Sequence, residues 1–454
     1  MDARTRLLTT LVDEGKHTDA LLAEAGVYAA SLSQSSGTYF MLAKTHEGKH
    51  LITACDGDGV CGDFDGDVFT TDGVCAKICP LTHENARALM AHLDWLKPVG
   101  RQGRRYSIGL GDRLGLATAG HLRLLAGKDV FPVVAQQSIR ELNLTGRTYN
   151  QVVDSAMWAV FQEGWRTGWG ADGDHIKNPF EIEYALSAEC SMITLDCSDH
   201  LAGKDPSLSP EEIYKDALYY VRDVYKRFIE PSGVDLEVSV DETAFPTTPE
   251  AHLYIAETLA SLGVQFESMA PRFIGEFQKG IDYIGDLAAF EEGYKAHAAI
   301  ADRFGYKLSI HSGSDKFAAF PIIAKHSDTF HVKTAGTNWL EALRVVAMKD
   351  PALFRELYAY AKANAGVAKA YYAIKATGQS APDAPADDAA LPKLFENDDA
   401  RQIMHITYGL MLNDAKNGKH TYRDRFFSVM RENEDVYAEC LAVHIGKHLK
   451  LLGL

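Results

Sequence analysis

The chain contains no uninterrupted apolar run of 18 residues, so a membrane-spanning helix is not expected. It has no excess of positive charge: 46 Lys and Arg stand against 62 Asp and Glu, a formal net charge of -16. Nucleic acid, which needs a basic surface, is therefore a poor partner. An anionic small molecule is not excluded, because a few local lysines and arginines can reverse the field inside a cleft. Cysteine is sparse and odd in number, at Cys55, Cys61, Cys75, Cys79, Cys190, Cys197 and Cys440. No leader is expected ahead of them: the chain opens with Asp2, Arg4 and Arg6, and its first apolar stretch is only Leu7-Leu8. A reduced, cytoplasmic protein is the expectation.

Three familiar motifs are incomplete. Gly109-Leu-Gly111-Asp-Arg-Leu-Gly115 resembles a dinucleotide fingerprint, but its third glycine falls one residue late. The acid-rich stretch from Asp56 to Asp67 resembles a calcium loop without the glycine at position 6 or the closing glutamate. It reads as an acidic turn. Cys75 and Cys79, with Cys55 and Cys61 upstream, have poor spacing for zinc.

With 454 residues and 46% hydrophobic content, the chain can bury a large core. Residues 1–100 read as a small α+β region, with strands at Thr38–Leu42 and Lys49–Thr53 and a helix from Leu81 to Leu96. From 101 to 345 short apolar runs alternate with helical patterns. The runs are Tyr106–Leu110, Val130–Val134, Thr167–Gly170, Met192–Leu195, Leu236–Val240, Val264–Ser268, Lys307–Ile310 and Thr329–Val332. Helical stretches between them include Tyr149–Glu163, Glu211–Ile229, Pro249–Leu262 and Leu287–Phe304. Eight such alternations predict an α/β fold, a closed TIM-like (β/α)₈ barrel, with a doubly wound open sheet as the alternative. Residues 346–454 read as a helical extension packed on the barrel, with helices at Pro351–Ala376, Arg401–Leu412 and Arg423–Leu449. Gln379–Leu391, rich in Ala, Pro and Asp, reads as a mobile surface loop.

In a barrel the catalytic groups follow the strands, at the C-terminal face. Polar residues follow all eight runs. Three are histidines: His175 in Asp174-His175-Ile-Lys177, His311 in His311-Ser-Gly-Ser-Asp315-Lys316, and His331 in Phe-His331-Val-Lys333. Any one alone fits a hydrogen-bonded structural histidine. Three at strand ends of one barrel can hold a divalent metal and leave a position open for substrate. Asp174 beside His175 can serve as a base. Asp241-Glu242 after the fifth run can supply an acid, a base or a further ligand. Arg272, Lys279, Lys316 and Lys333 can clamp a carboxylate or phosphate. Glu276 lies in a stretch of alternating charge with two glycines, as a substrate loop does.

Several of these segments resemble the tagaturonate epimerase family, whose members interconvert tagaturonate and fructuronate or act on the neutral ketohexoses tagatose and fructose. The segments are Ile108–Thr118, Ala135–Glu141, Asp172–Lys177, Ala270–Tyr283, His311–Asp315, His405–Gly409 and His444–His448. The resemblance runs from about Ile78 to the end; segment 54–75 is not part of the family's pattern. It implies a barrel fold, one divalent metal on His175, His311 and His331, and an acid–base pair at Asp174 and Glu276. Substrate contacts are expected from Gln136, Lys177, Glu242, Arg272, Lys279, Asp315 and Lys333. Zn, Mn, Co, Ni and Fe all suit three imidazoles. The inverted carbon lies two bonds from the ketone, where its hydrogen is not acidified. Retro-aldol cleavage and re-formation is therefore the expected route. A metal-dependent aldolase, a metal-dependent hydrolase and a non-catalytic sugar-acid-binding barrel are the rivals, and the first strand's end, Gly-Leu-Gly-Asp112 in place of a His-x-His pair, counts against the hydrolase. Ketouronate or ketohexose, and monomer or homo-oligomer, are not distinguished.

Overall fold

The computed structural model describes every residue except Met1, 57–59, 72, 73, 102, 203, 204 and 206. The chain divides into two compact units, Met1–Pro98 with Asn150–Gly168, and Val99–Tyr149 with Trp169–Leu454.

The first unit is built on an antiparallel sheet in the order Ser33–Ser35, Thr38–Thr45, Gly48–Asp56, Val74–Cys79, Asp67–Thr71. Alternate residues of these strands point to one face, so Met41, Ala43, Ile52 and Ala54 meet Leu7, Leu8 and Leu11 of helix Ala3–Glu14. The last two strands were not expected: they form a hairpin that begins where the acid-rich stretch Asp56–Asp67 ends, and that stretch itself holds a short helical turn at Val60–Asp63. Residues 57–59 of its calcium-like part lie outside the described residues. Cys55 faces Cys75 across the sheet, and no candidate metal group among the described residues contains a cysteine.

The second unit contains a closed, all-parallel barrel. Its strands are β1 (Tyr106–Leu110), β2 (Phe131–Ser138), β3 (Gly170–Ile176), β4 (Met192–Asp196), β5 (Asp235–Val240), β6 (Ser268–Pro271), β7 (Lys307–Ile310) and β8 (Phe330–Thr334). Strand β8 pairs with β1 through Phe330 and Tyr106, which closes the ring and rules out the open sheet. Two strands lie further along the chain than expected. The third is Gly170–Ile176, not Thr167–Gly170, and the sixth is Ser268–Pro271, not Val264–Ser268. In β3 the inward positions carry Asp172 and Asp174, so the strand lacks the apolar signature of a buried parallel strand.

Helices Gly336–Lys349, Pro351–Ala368, Asp398–Ile406, Tyr408–Asn413, Arg423–Glu432 and Glu434–Leu451 belong to the same unit as the barrel and share one apolar core. The expected helix from Pro351 stops at Ala368, and Tyr371, Tyr372 and Ala373 line a cavity instead. The stretch Gln379–Leu391 is not a free surface loop. Arg355 donates to the carbonyls of Pro385 and Ala386, Tyr358 donates to that of Pro382, and Leu391 is buried. No helix of the described residues is long and apolar enough to cross a membrane.

Candidate active site

The site begins with a kink. Neighbouring residues of a strand point to opposite faces, yet Asp174 and His175 line the same cavity. The pairing of β3 with β4 slips between Gly173 and Ile176, and His175 has φ +51°, a left-handed conformation that costs a non-glycine residue energy. That bulge turns the imidazole inward beside the aspartate. Ser312, just after His311, has φ +49°.

Each of these two histidines has one nitrogen held by a buried carboxylate. Nδ1 of His175 is 2.9 Å from Asp174, and Nε2 of His311 is 2.7 Å from Glu237. The opposite nitrogens face Asp241, at 3.7 Å from His175 and 3.2 Å from His311. His175, Asp241 and His311 each present a ligand atom, all within 4.8 Å of one another. Apart from Asp241, the buried Nδ1 of His311 has no partner among the described residues. A carboxylate behind each imidazole fixes its tautomer and aims the free nitrogen, as at metal sites. This group fits a divalent ion.

Below it, Lys333 Nζ lies 2.7 Å from Asp172, 2.7 Å from Asp174 and 3.0 Å from Glu237, and donates to Thr194. One lysine thus faces three carboxylates. Burial opposes the charge of Glu237 and Asp174, but Lys333 with His311 or His175 holds both well below the ordinary carboxylate range. Burial and repulsion from those two neighbours outweigh Lys333 at Asp172, pushing it to about 6. Burial likewise opposes charge on Asp241, and His311 and His175 keep it ionised. A divalent ion above this floor would offset its excess negative charge.

His331 does not join the group. It is the second residue of β8, two residues before Lys333 on the same inward face, so roughly 7 Å deeper in the barrel. Its Nδ1 meets Ser107 at 2.9 Å, and it lines no part of the cavity. The three-histidine set becomes two histidines and Asp241.

The cavity, about 300 Å³, is also lined by Gln136, Arg140, Glu141, Glu242, Arg272, Lys279 and His405. Gln136, Glu242, Arg272, Lys279 and Lys333 thus lie where substrate contacts were expected. Two expected substrate contacts, Lys177 and Asp315, do not, and neither does Glu276, expected as half of the acid–base pair. Lys177 is turned to Ser198 and Asp199, at 3.0 and 3.1 Å. Asp315 is buried against Arg401 and His444, at 2.8 and 3.0 Å, and its N–H donates to His448. Asp315, His444 and His448 form a second cluster of possible ligands, but Nε2 of His448 is already accepting. Glu276 sits at the rim, half-exposed, paired with Lys375 at 3.3 Å and accepting from Gln278. It borders an adjoining cavity rather than the one holding Asp174.

The incomplete dinucleotide motif has a packing role. A Cβ on Gly109 would come 1.7 Å from Oε1 of Gln136, so the glycine makes room for that side chain. Asp112 accepts backbone N–H groups from Leu114, Gly115, Ala117 and Thr118 and ties the loop. Glu237, Arg140, Glu141 and His405 were missed as site residues. The polar alternation Asp235, Glu237, Ser239 was the available signal for the first; nothing in the local pattern marks the others.

Fold and site together define a barrel enzyme, with a polar cavity at the C-terminal strand ends where such enzymes act. A profile of the tagaturonate epimerase family matches residues 28–213 and 208–452. The tagaturonate/fructuronate epimerase of Thermotoga maritima is 40% identical, over 94% of this chain and 96% of its own. A glycerol-bound crystal structure of the fructuronate-tagaturonate epimerase UxaE from Cohnella laeviribosi superposes with a TM-score of 0.90 at 42% identity, covering 96% of this chain and 98% of that one. The same enzyme's native structure gives 0.89 at 42% identity, covering 94% and 96%. This chain belongs to the tagaturonate epimerase family and is an isomerase.

Proposed function

We propose that the protein interconverts tagaturonate and fructuronate with one divalent metal on His175, Asp241 and His311, by retro-aldol cleavage and re-formation. The observation that carries the metal reading is the pair of carboxylates, Asp174 and Glu237, each gripping one histidine and turning its other nitrogen toward Asp241. When bound, the ion supplies charge stabilisation at the ketone oxygen.

Four carboxylates line the cavity: Glu141, Asp174, Asp241 and Glu242. Asp241 is assigned to the metal, and Glu141 is paired with Arg113 at 2.5 Å. Asp174 and Glu242 remain for proton transfer, with Glu242 in place of the rim residue Glu276. Lys333 and His175 keep Asp174 ionised. It takes the proton of the reacting hydroxyl. The bond from that carbon toward the ketone breaks, and its electron pair passes to the ketone oxygen. The aldehyde half turns over, the carbon–carbon bond re-forms on the other face, and Glu242 relays a proton from solvent to the new alkoxide while Asp174 releases the proton it took. Solvent resets the pair through the exposed Glu242.

The test is a substrate panel on protein stripped of metal and reloaded in turn with Zn, Mn, Co, Ni and Fe. Tagaturonate, fructuronate, tagatose and fructose are each assayed. Rates on the ketouronates should vanish on chelation and return with one ion per chain. His175→Ala and His311→Ala should lose the bound ion. An unchanged rate after complete chelation rejects the metal. Deuterium on the inverted carbon after turnover in deuterated water rejects retro-aldol chemistry. Release of free three-carbon fragments identifies an aldolase instead.

A further inference from the structure

One wall of the cavity carries more positive charge than the described residues around it pair. Arg140 stacks over the Tyr372 ring at 5.2 Å and has no carboxylate partner among the described residues. Lys279 donates to Ser312 Oγ at 3.0 Å and forms no ion pair among the described residues. His405 is fully buried, lines the cavity, and neither ring nitrogen has a partner. Behind them Arg113 uses Nη2 on Glu141, while Nε and Nη1 are buried without acceptors. Of these three cations only Arg113 is ion-paired among the described residues, with Glu141. Buried polar groups are almost always hydrogen-bonded, so the unpartnered nitrogens of His405 and Arg113 mark the place of a missing acceptor, with the exposed guanidinium of Arg140 and half-buried Lys279 at its open side.

The backbone is shaped around this wall. A Cβ on Gly336, just beyond β8, would lie 1.9 Å from Nε2 of His405 and 2.0 Å from Cε1. Only glycine lets the imidazole enter. Gly280 approaches from the other side, where a Cβ would lie 3.3 Å from Nδ1.

We infer that Arg140, Lys279 and His405 form the subsite for the carboxylate of the substrate, and that Arg140 selects ketose acids over neutral ketoses. This rests on the epimerase reading above and supplies what that reading leaves open. A carboxylate offers planar acceptors to the arginine fork and a charge to Lys279. A neutral ketose puts a hydroxymethyl group there and leaves both cations unpaired, which is a specificity penalty as well as a missing attraction.

The experiment compares the kcat/KM ratio of tagaturonate to tagatose in the wild type, Arg140→Gln, Arg140→Lys and Lys279→Met. Loss of one charge-assisted contact should lower the ratio about 10- to 100-fold in Arg140→Gln, with partial recovery in Arg140→Lys. A ratio that does not move, or equal losses on both substrates, overturns the assignment. A binding arm separates this inference from the epimerase reading. Galactonate and galactitol, an acid and its neutral counterpart, are titrated calorimetrically into the same four proteins. If the wild type turns over neither sugar, the epimerase reading fails, and the binding arm decides the subsite. A preference for galactonate that shrinks at least tenfold in Arg140→Gln supports the subsite. Equal affinity of the wild type for the two, or no galactonate binding at millimolar concentration, overturns it.

Discussion

The floor and the wall of the cavity are opposites in charge and in construction. The floor holds Asp172, Asp174, Glu237 and Asp241 with Lys333, all on or just past barrel strands β3, β5 and β8. The wall holds Arg113, Arg140, Lys279 and His405, from loops and helices that follow strands or return from the C-terminal region. On the floor, negative charge is partly offset by one lysine, and the balance suits a divalent cation. On the wall, positive charge has one internal partner, Glu141, and the balance suits an anion. The two ends of one cavity thus fit the two ends of one molecule, a chelating ketone end and a carboxylate end. Rigid strands carry the reacting end, and the added segments carry recognition.

The largest expected effect comes from the proton-transfer carboxylates. Glu242→Gln keeps the shape and removes the acid, and kcat on tagaturonate should fall roughly 10²- to 10⁴-fold. Metal content should be unchanged, since Glu242 is outside the ligand group. A variant within threefold of wild type would move the role to Glu276, whose own Gln variant is the companion measurement.

Next in size is the asymmetry in stability. Lys333→Met leaves Asp172, Asp174 and Glu237 without their shared cation, and unfolding should become easier by about 3–5 kcal/mol. Arg140→Gln on the wall breaks no ion pair among the described residues and should stay within about 0.5 kcal/mol. Urea unfolding measures both. Equal losses would mean that the wall is as integral to the fold as the floor, and the contrast would collapse.

The sequence made the floor half legible and the wall barely so. Eight β/α alternations revealed the barrel, because parallel strands and their helices each leave a local signature. His175 and His311 stood out because they follow or end apolar runs. His331 passed the same test, since a strand read as Thr329–Val332 ends one residue after it. The strand runs to Thr334, and that extension puts His331 deep in the barrel. Asp172 and Glu237 were hidden because charged inward positions break the apolar pattern. His405 and Arg140 come together only when the C-terminal helices fold back toward the strand ends, a long-range fact with no local trace. The family resemblance covered His405 by its segment without giving it a role.

The smallest expected effect separates the two ends by pH. Burial, Arg113 and Lys279 push His405 well below its ordinary range, so the folded protein keeps it neutral. In the unfolded chain the same imidazole takes a proton below about pH 6.5. As pH falls through that value, the unfolded state binds a proton that the folded state refuses. Stability is therefore lost on acidification, by about 1.4 kcal/mol per pH unit while the difference lasts. Urea unfolding at pH 7.5 and 5.5 should show this loss in the wild type, and a loss smaller by about 1.4 kcal/mol in His405→Gln. Galactonate should reduce the loss in the wild type, because an anion beside His405 favours its charged form. An acid response identical in the two proteins would mean that His405 takes up its proton as readily in the fold as in the unfolded chain, and a smaller loss in the wild type than in His405→Gln would mean that it is already charged in the fold and that the wall carries four cations rather than three.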